Sequence, residues 1–104
     1  MSIYKKSEDR FTRYKKILLE IIRETLPNCK VYLFGSRARG SHSGGSNIDL
    51  ALDDGKPIEL GKISKIQEKL EESIVPLFVD LVDLHTAGDT IKREIKDEGI
   101  VWEN

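Results

Sequence analysis

The sequence has little of what marks a secreted, membrane-spanning or nucleic-acid-coating protein. Cys29 is the only cysteine in 104 residues, which rules out an internal disulfide and a cysteine-based zinc site. The apolar runs are much shorter than the ~20 residues of a membrane span. The opening MSIYKKSEDR has no signal-peptide core. A formal net charge of -1 gives no positive field for nucleic acid. We therefore expect a soluble cytoplasmic protein without membrane or nucleic-acid partners.

The remaining composition, 38% hydrophobic and 34% charged, is typical of one globular domain over residues 1–104. Apolar spacings of three and four predict helices, with Ser7 capping the first and Pro57 opening the second. Short β-rich runs between the helices predict strands. This alternation predicts an α/β fold, a small mixed β-sheet with a layer of helices. The predicted helices cover 8–26, 57–73 and 86–97, and the predicted strands cover 31–34, 48–52, 77–84 and 100–102.

The second predicted strand points to a metal site. Side chains alternate between the two faces of a strand, so Asn47 and Asp49 are expected on the face opposite the apolar Ile48. Asp80 lies inside another apolar strand, where an unpaired carboxylate is costly to bury. If the two strands are neighbours, Asp80 completes a cluster with Asp49. Oxygen ligands of this kind suit Mg²⁺ and substrate phosphates. The alternatives are a solvated residue at a strand end for Asp49, and a turn cap or a pair with a lysine for Asp80.

A glycine-rich segment before this strand is a candidate phosphate site. Gly35 and Ser36 directly follow the first strand, where backbone N–H groups and a hydroxyl suit phosphate oxygens. Arg37 and Arg39 would neutralise phosphate charge, or they are ordinary surface charges. The segment lacks the Lys-Ser/Thr of a P-loop, and no G-x-G-x-x-G follows a strand. The sequence therefore favours a phosphate site of another type.

Gly35-Ser36, ten residues, then Asn47-Ile48-Asp49 resembles the Gly-Ser-x10-Asp-x-Asp signature of nucleotidyltransferases related to DNA polymerase beta. The small size, and Asp80 within V-D-L, resemble the minimal nucleotidyltransferase (MNT) branch. The resemblance implies catalytic and metal-binding roles for Asp49, Asp80 and Asn47. It also implies Mg²⁺ or Mn²⁺ as cofactor and transfer of AMP from ATP to a hydroxyl. Many MNT proteins are antitoxins encoded beside HEPN toxins, and some transfer AMP to tyrosines of that toxin. The resemblance therefore implies a HEPN-type toxin as the partner.

Asn47 departs from that signature, because an amide stands where the family has the first aspartate. Two unit charges ~4 Å apart interact by roughly 4 kcal/mol at an effective dielectric near 20. Losing one charge therefore predicts metal binding or catalysis weaker by about two to three orders of magnitude. Asn47 is either natural to a weakened enzyme or a replacement that traps a complex. The alternative function is a non-catalytic antitoxin that neutralises its partner by contact, and a homodimer is a second possible assembly.

Overall fold

The computed structural model describes the backbone of residues 3–103 and the side chains of residues 10–103. Helices and strands alternate along this range, as the sequence predicts. The helices are α1 (Ile3–Thr25), α2 (Ser36–Arg39), α3 (Leu60–Glu72) and α4 (Asp89–Glu98). The strands are β1 (Lys30–Phe34), β2 (Ile48–Asp53), β3 (Val79–Asp83) and β4 (Ile100–Trp102). No helix in this range is both long and apolar enough to cross a membrane.

The four strands form one sheet in the order β3-β2-β1-β4. β1 pairs antiparallel with both β2 and β4, whereas β2 pairs parallel with β3. The parallel pair is connected through α3, because parallel neighbours need a crossover. The predicted mixed sheet is therefore confirmed, and β2 lies inside it with a neighbour on each side.

The larger hydrophobic core lies between one face of the sheet and helices α1 and α3. The alternation along β2 sends Ile48, Leu50 and Leu52 into this core, as predicted. Phe11 of α1 meets Trp102 of β4 edge to face, with ring centroids 6.0 Å apart. The core side chains with the lowest exposure are Leu18, Leu19, Ile22, Val31, Ile48, Leu50, Leu52 and Ile66.

The opposite face of the sheet is covered by α4, which corrects the prediction of a single helical layer. Ile95 of α4 is buried against Phe34 and Ala51 in a second, smaller cluster. The apolar spacing of α4 predicts a buried face, but it carries no information on which side of the sheet receives that face. The consequence is that α4 lies on the same side as the outward-facing residues of β2.

Three predicted boundaries are wrong, each for a local reason. α1 begins at Ile3, so Ser7 lies inside the helix instead of capping it; residues 3–9 contain no glycine or proline that would interrupt it. α3 begins at Leu60 and not at Pro57, since the backbone of Glu59 is extended; the preceding Ile58 N–H is donated to Asp83 Oδ2 at 2.9 Å. α4 begins at Asp89, because residues 84–86 form a turn.

Candidate active site

Two carboxylates face each other across the parallel pair of strands. Asp49 of β2 is paired in register with Asp80 of β3. In-register residues on neighbouring strands lie about 4.8 Å apart and project from the same face. Asp49 is half-buried and Asp80 is exposed. The predicted cluster of Asp49 with Asp80 therefore has its structural basis in this register.

Asp49 also lies directly against Gly35, the residue that follows β1. A Cβ placed on Gly35 would collide with Oδ2 of Asp49 and lie 3.2 Å from its Cγ. Gly35 has φ 77° and ψ -156°, a conformation essentially restricted to glycine. The close approach and the backbone conformation therefore both require glycine here. Gly35 brings the start of α2 next to the carboxylate pair.

The electrostatic environment of Asp49 is strongly acidic. Burial raises its pKa first, and the charges of Asp80 and Glu94 raise it further. Arg39 acts in the opposite direction, as the weakest of these effects. A carboxylate destabilised in this way is stabilised by a bound cation. The site therefore has the character of a cation site with two carboxylates.

The short helix α2 presents free backbone N–H groups beside these carboxylates. Ala38 and Arg39 donate their N–H groups to Gly35 O, both at 3.1 Å. The N–H groups of Ser36 and Arg37, by contrast, have no acceptor among the described residues. Ser36 is half-exposed, which leaves its hydroxyl accessible. Such groups suit phosphate oxygens.

Arg37 organises the loop between α2 and β2. Its Nε and Nη2 donate to Ser46 O at 3.1 and 3.0 Å, and Nη2 also donates to Gly44 O at 3.2 Å. The guanidinium carbon lies 5.0 Å from the centre of the Phe11 ring, a cation–π contact. Burial lowers the pKa of Arg37. In this arrangement Arg37 holds the loop against α1, a role that the sequence does not indicate.

Arg39 is bound to α4. Its Nη1 donates to Glu94 Oε1 at 2.7 Å and to Glu98 Oε2 at 3.3 Å. These hydrogen bonds, led by the one to Glu94, raise the pKa of Arg39. The guanidinium that the sequence assigns to phosphate is thus shared by two carboxylates of another helix.

Asn47 immediately precedes β2 and is exposed. Among residues 10–103, no three His, Cys, Asp or Glu side chains group closely enough to hold a metal ion. Asp49 and Asp80 nevertheless fit Mg²⁺, which binds through one or two carboxylates and completes its shell with waters and phosphates. A third protein oxygen would come from the amide of Asn47. The donor set fits the cation with one negative charge fewer than three aspartates would supply.

Comparison with known protein families identifies the family of this chain. The family model described as "Polymerase beta, Nucleotidyltransferase" matches residues 15–102. The chain belongs to this nucleotidyltransferase family. The predicted family is confirmed by this match.

Two curated relatives have similar sequences. The probable protein adenylyltransferase MntA of Haemophilus influenzae is 29% identical over 85 residues, covering 82% of this chain and 75% of that protein. The protein adenylyltransferase MntA of Shewanella oneidensis is 28% identical over 83 residues, covering 79% of this chain but only 59% of that protein. The chain therefore spans about three fifths of the Shewanella protein.

Solved structures show the same fold. A crystal structure of a toxin–antitoxin with AMP-PNP superposes with a TM-score of 0.74 at 24% identity, covering 86% of this chain and 73% of the other. A tri-AMPylated Shewanella oneidensis HEPN toxin in complex with MNT antitoxin gives 0.67 at 22% identity, covering 86% and 69%. The predicted nucleotidyltransferase-like fold is confirmed.

Sequence reasoning missed the contribution of α4 to this nucleotidyltransferase site. Glu94 and Glu98 are one helical turn apart, and their only sequence signal is the shared face that this spacing gives. Their partner Arg39 is more than fifty residues away in the chain. No local pattern connects residues so distant. The roles assigned to Gly35, Ser36, Asn47, Asp49 and Asp80 stay predictions.

Proposed function

We propose that this chain is an MNT-type protein adenylyltransferase that acts as the antitoxin of a HEPN-type toxin in the cytoplasm, with residues 1–104 as one functional unit. The observation that carries the proposal is the in-register pair Asp49 and Asp80, packed against Gly35. Membership of the polymerase beta family supports nucleotidyl transfer. The two adenylyltransferase relatives support AMP as the transferred group and a protein as the acceptor.

In the proposed reaction, the hydroxyl oxygen of an acceptor tyrosine forms a bond to the α-phosphorus of ATP. The bond from that phosphorus to the bridging oxygen breaks, pyrophosphate leaves, and the hydroxyl proton passes to solvent. The N–H groups of Ser36 and Arg37 and the Ser36 hydroxyl bind the β- and γ-phosphates, with Arg39 as a further phosphate ligand. Their position beside the carboxylates favours this assignment.

Asp49, Asp80 and Asn47 would hold Mg²⁺ or Mn²⁺, which supplies charge stabilisation to the entering and leaving oxygens when bound. Asp49 and Asp80 would each supply a charged oxygen to that cation. The amide of Asn47 contributes an oxygen without a charge. We therefore expect slow AMP transfer. Loss of one unit charge ~4 Å from the cation lowers the rate or the metal affinity by about two to three orders of magnitude.

Restoring the missing charge tests this function. In Asn47→Asp we expect Mg²⁺-dependent transfer of label from α-labelled ATP to a purified HEPN-type toxin to rise by roughly ten- to a thousand-fold. Asn28→Asp is the matched control. Asn28 is exposed in the turn before β1, so this substitution adds the same charge outside the candidate site. Asp49→Ala or Asp80→Ala in the Asn47→Asp background should abolish transfer. Ser36→Ala should mainly weaken ATP binding.

The second candidate is a non-catalytic antitoxin, and Asn47 is the specific observation that favours it. In that case the chain would bind and inhibit the toxin without ATP. No gain from Asn47→Asp, combined with unchanged toxin inhibition by Asp49→Ala, would replace the enzymatic proposal with this one.

A further inference from the structure

Arg39, Glu94 and Glu98 form a cluster that we call the α2–α4 ion-pair cluster. One nitrogen, Nη1 of Arg39, donates to both carboxylates, at 2.7 and 3.3 Å. Arg39 is the last residue of α2, and the two glutamates lie on one face of α4. The cluster is a polar connection between α2 and the helix that covers this face of the sheet.

The cluster lies within electrostatic range of the carboxylate pair. Glu94 raises the pKa of Asp49 and Arg39 lowers it, so both charges act on that carboxylate. Ile95, next to Glu94 in sequence, packs against Phe34 and Ala51, the β1 and β2 residues on the Asp49 face. The glutamates are therefore fixed beside the site by apolar packing that does not involve Arg39.

Two carboxylates and one guanidinium leave the cluster with a surplus negative charge. The side chain of Arg39 is 43% exposed, and those of Glu94 and Glu98 are 31% and 45% exposed. Exposed ion pairs are weak and readily exchanged. A triphosphate carries more negative charge than the two glutamates and offers the planar, two-point contact that guanidinium favours. Phosphate oxygens near the start of α2 would therefore compete with α4 for Arg39.

We propose that Glu94 and Glu98 are positioning residues that set the nucleotide affinity of this site by competing with phosphate for Arg39. This inference rests on the proposed function, since it takes ATP as the ligand. Without nucleotide, Arg39 fastens α2 to α4. With nucleotide bound, Arg39 turns to the phosphates, and α4 loses its polar connection to α2 while keeping its apolar contacts.

A cycle of variants separates this competition from general charge repulsion. We expect the Glu94→Gln/Glu98→Gln double variant to bind ATP roughly three- to tenfold more tightly by calorimetry, since two weak pairs are removed. Arg39→Gln should bind ATP more weakly. In the Arg39→Gln background, the two glutamate substitutions should raise the ATP affinity by less than twofold. An equal gain with and without Arg39 would reveal simple repulsion and overturn the proposal, as would weaker binding by the glutamate variant.

Glu24→Gln is the matched control for the charge change. Glu24 forms an exposed ion pair with Lys69 at 3.1 Å, between α1 and α3 and away from this cluster. It should leave the ATP affinity unchanged. Circular dichroism and urea unfolding of each variant confirm that affinities are compared between folded chains.

A measurement without nucleotide tests the fastening of α4 independently of the proposed function. Hydrogen exchange of peptides covering 89–98 should be about two- to fivefold faster in Arg39→Gln than in the parent chain, whereas Lys69→Gln should not change it. Unchanged exchange in Arg39→Gln overturns the fastening. If α4 exchange responds as expected but no variant binds ATP, the proposed function fails and the nucleotide part of this inference fails with it.

Discussion

Replacing Gly35 by alanine tests the close packing of the site at its tightest point. The new Cβ is disfavoured for two independent reasons. The first is the backbone, at φ 77° and ψ -156°. The second is Asp49, whose Oδ2 occupies the space that the Cβ needs. Gly40 provides the comparison, since it also has a positive φ, 76°, but has nothing within 4 Å of a built Cβ.

The expected magnitudes follow from these two obstacles. A glycine-only backbone conformation costs roughly 1–3 kcal/mol for a residue with a Cβ. Forcing the Asp49 carboxylate aside adds about 1–3 kcal/mol, the usual cost of overpacking. We therefore expect Gly35→Ala to lower the free energy of unfolding by about 2–6 kcal/mol, the sum of these two costs. Gly40→Ala, with a left-handed conformation only, should cost about 1–2 kcal/mol.

Urea unfolding followed by circular dichroism measures both variants. Asp49→Ala removes the carboxylate, so in that background Gly35→Ala should lose about 1–3 kcal/mol of its cost and approach Gly40→Ala. If Gly35→Ala costs the same with and without the Asp49 carboxylate, the two groups are not in contact. If Gly35→Ala costs no more than Gly40→Ala in the parent chain, the reasoning about this packing is refuted.

Three further predictions concern residues outside the carboxylate pair. Burial raises the pKa of Cys29 from 9.0 to about 12. The reaction of Cys29 with a disulfide reagent at pH 8 should therefore be roughly three decades slower in the native chain than in urea. Equal rates in the two conditions would contradict the burial of Cys29. The Gly55 N–H, and then His85, lower the pKa of Asp53. Asp53→Asn should therefore lose roughly 0.5–1 kcal/mol of stability at pH 7. This loss should disappear as the pH falls below the ordinary carboxyl range and through the lower native pKa of Asp53. Urea titrations at pH 7 and pH 3 measure the difference. Arg37→Ala should speed hydrogen exchange in residues 40–47, because Ser46 O loses its donors, and Arg37→Lys should restore little since an ammonium lacks the planar fork.

The sequence contains enough to predict the individual elements of this site. Alternation along residues 48–52 predicts the outward placement of Asp49 and the burial of Leu50, because a half-buried strand has a period of two. Gly35 directly follows β1, and a glycine after a short β-rich run predicts the end of the strand; the structure gives it a conformation that glycine adopts readily. These features depend on neighbours close in sequence.

The features that could not be predicted depend on distant neighbours. The sequence around Arg39 does not indicate its ion pair with Glu94, which depends on the position of α4. The amphipathic pattern of α4 does not show which face of the sheet it covers. The segment before α3 is bound to Asp83, twenty-five residues from Ile58, which accepts the Ile58 N–H.

The in-register placement of Asp49 and Asp80 has a consequence for how this chain folds and varies. The pair forms only when β3 docks beside β2, and the two charges oppose that docking in the absence of a cation. Asp80→Asn should therefore raise the free energy of unfolding without a divalent cation, as measured by urea unfolding. Selection for stability and selection for catalysis act in opposite directions at such positions. The amide of Asn47 differs from the family's aspartate in the same direction as Asp80→Asn, because it has nearly the same shape and carries no charge.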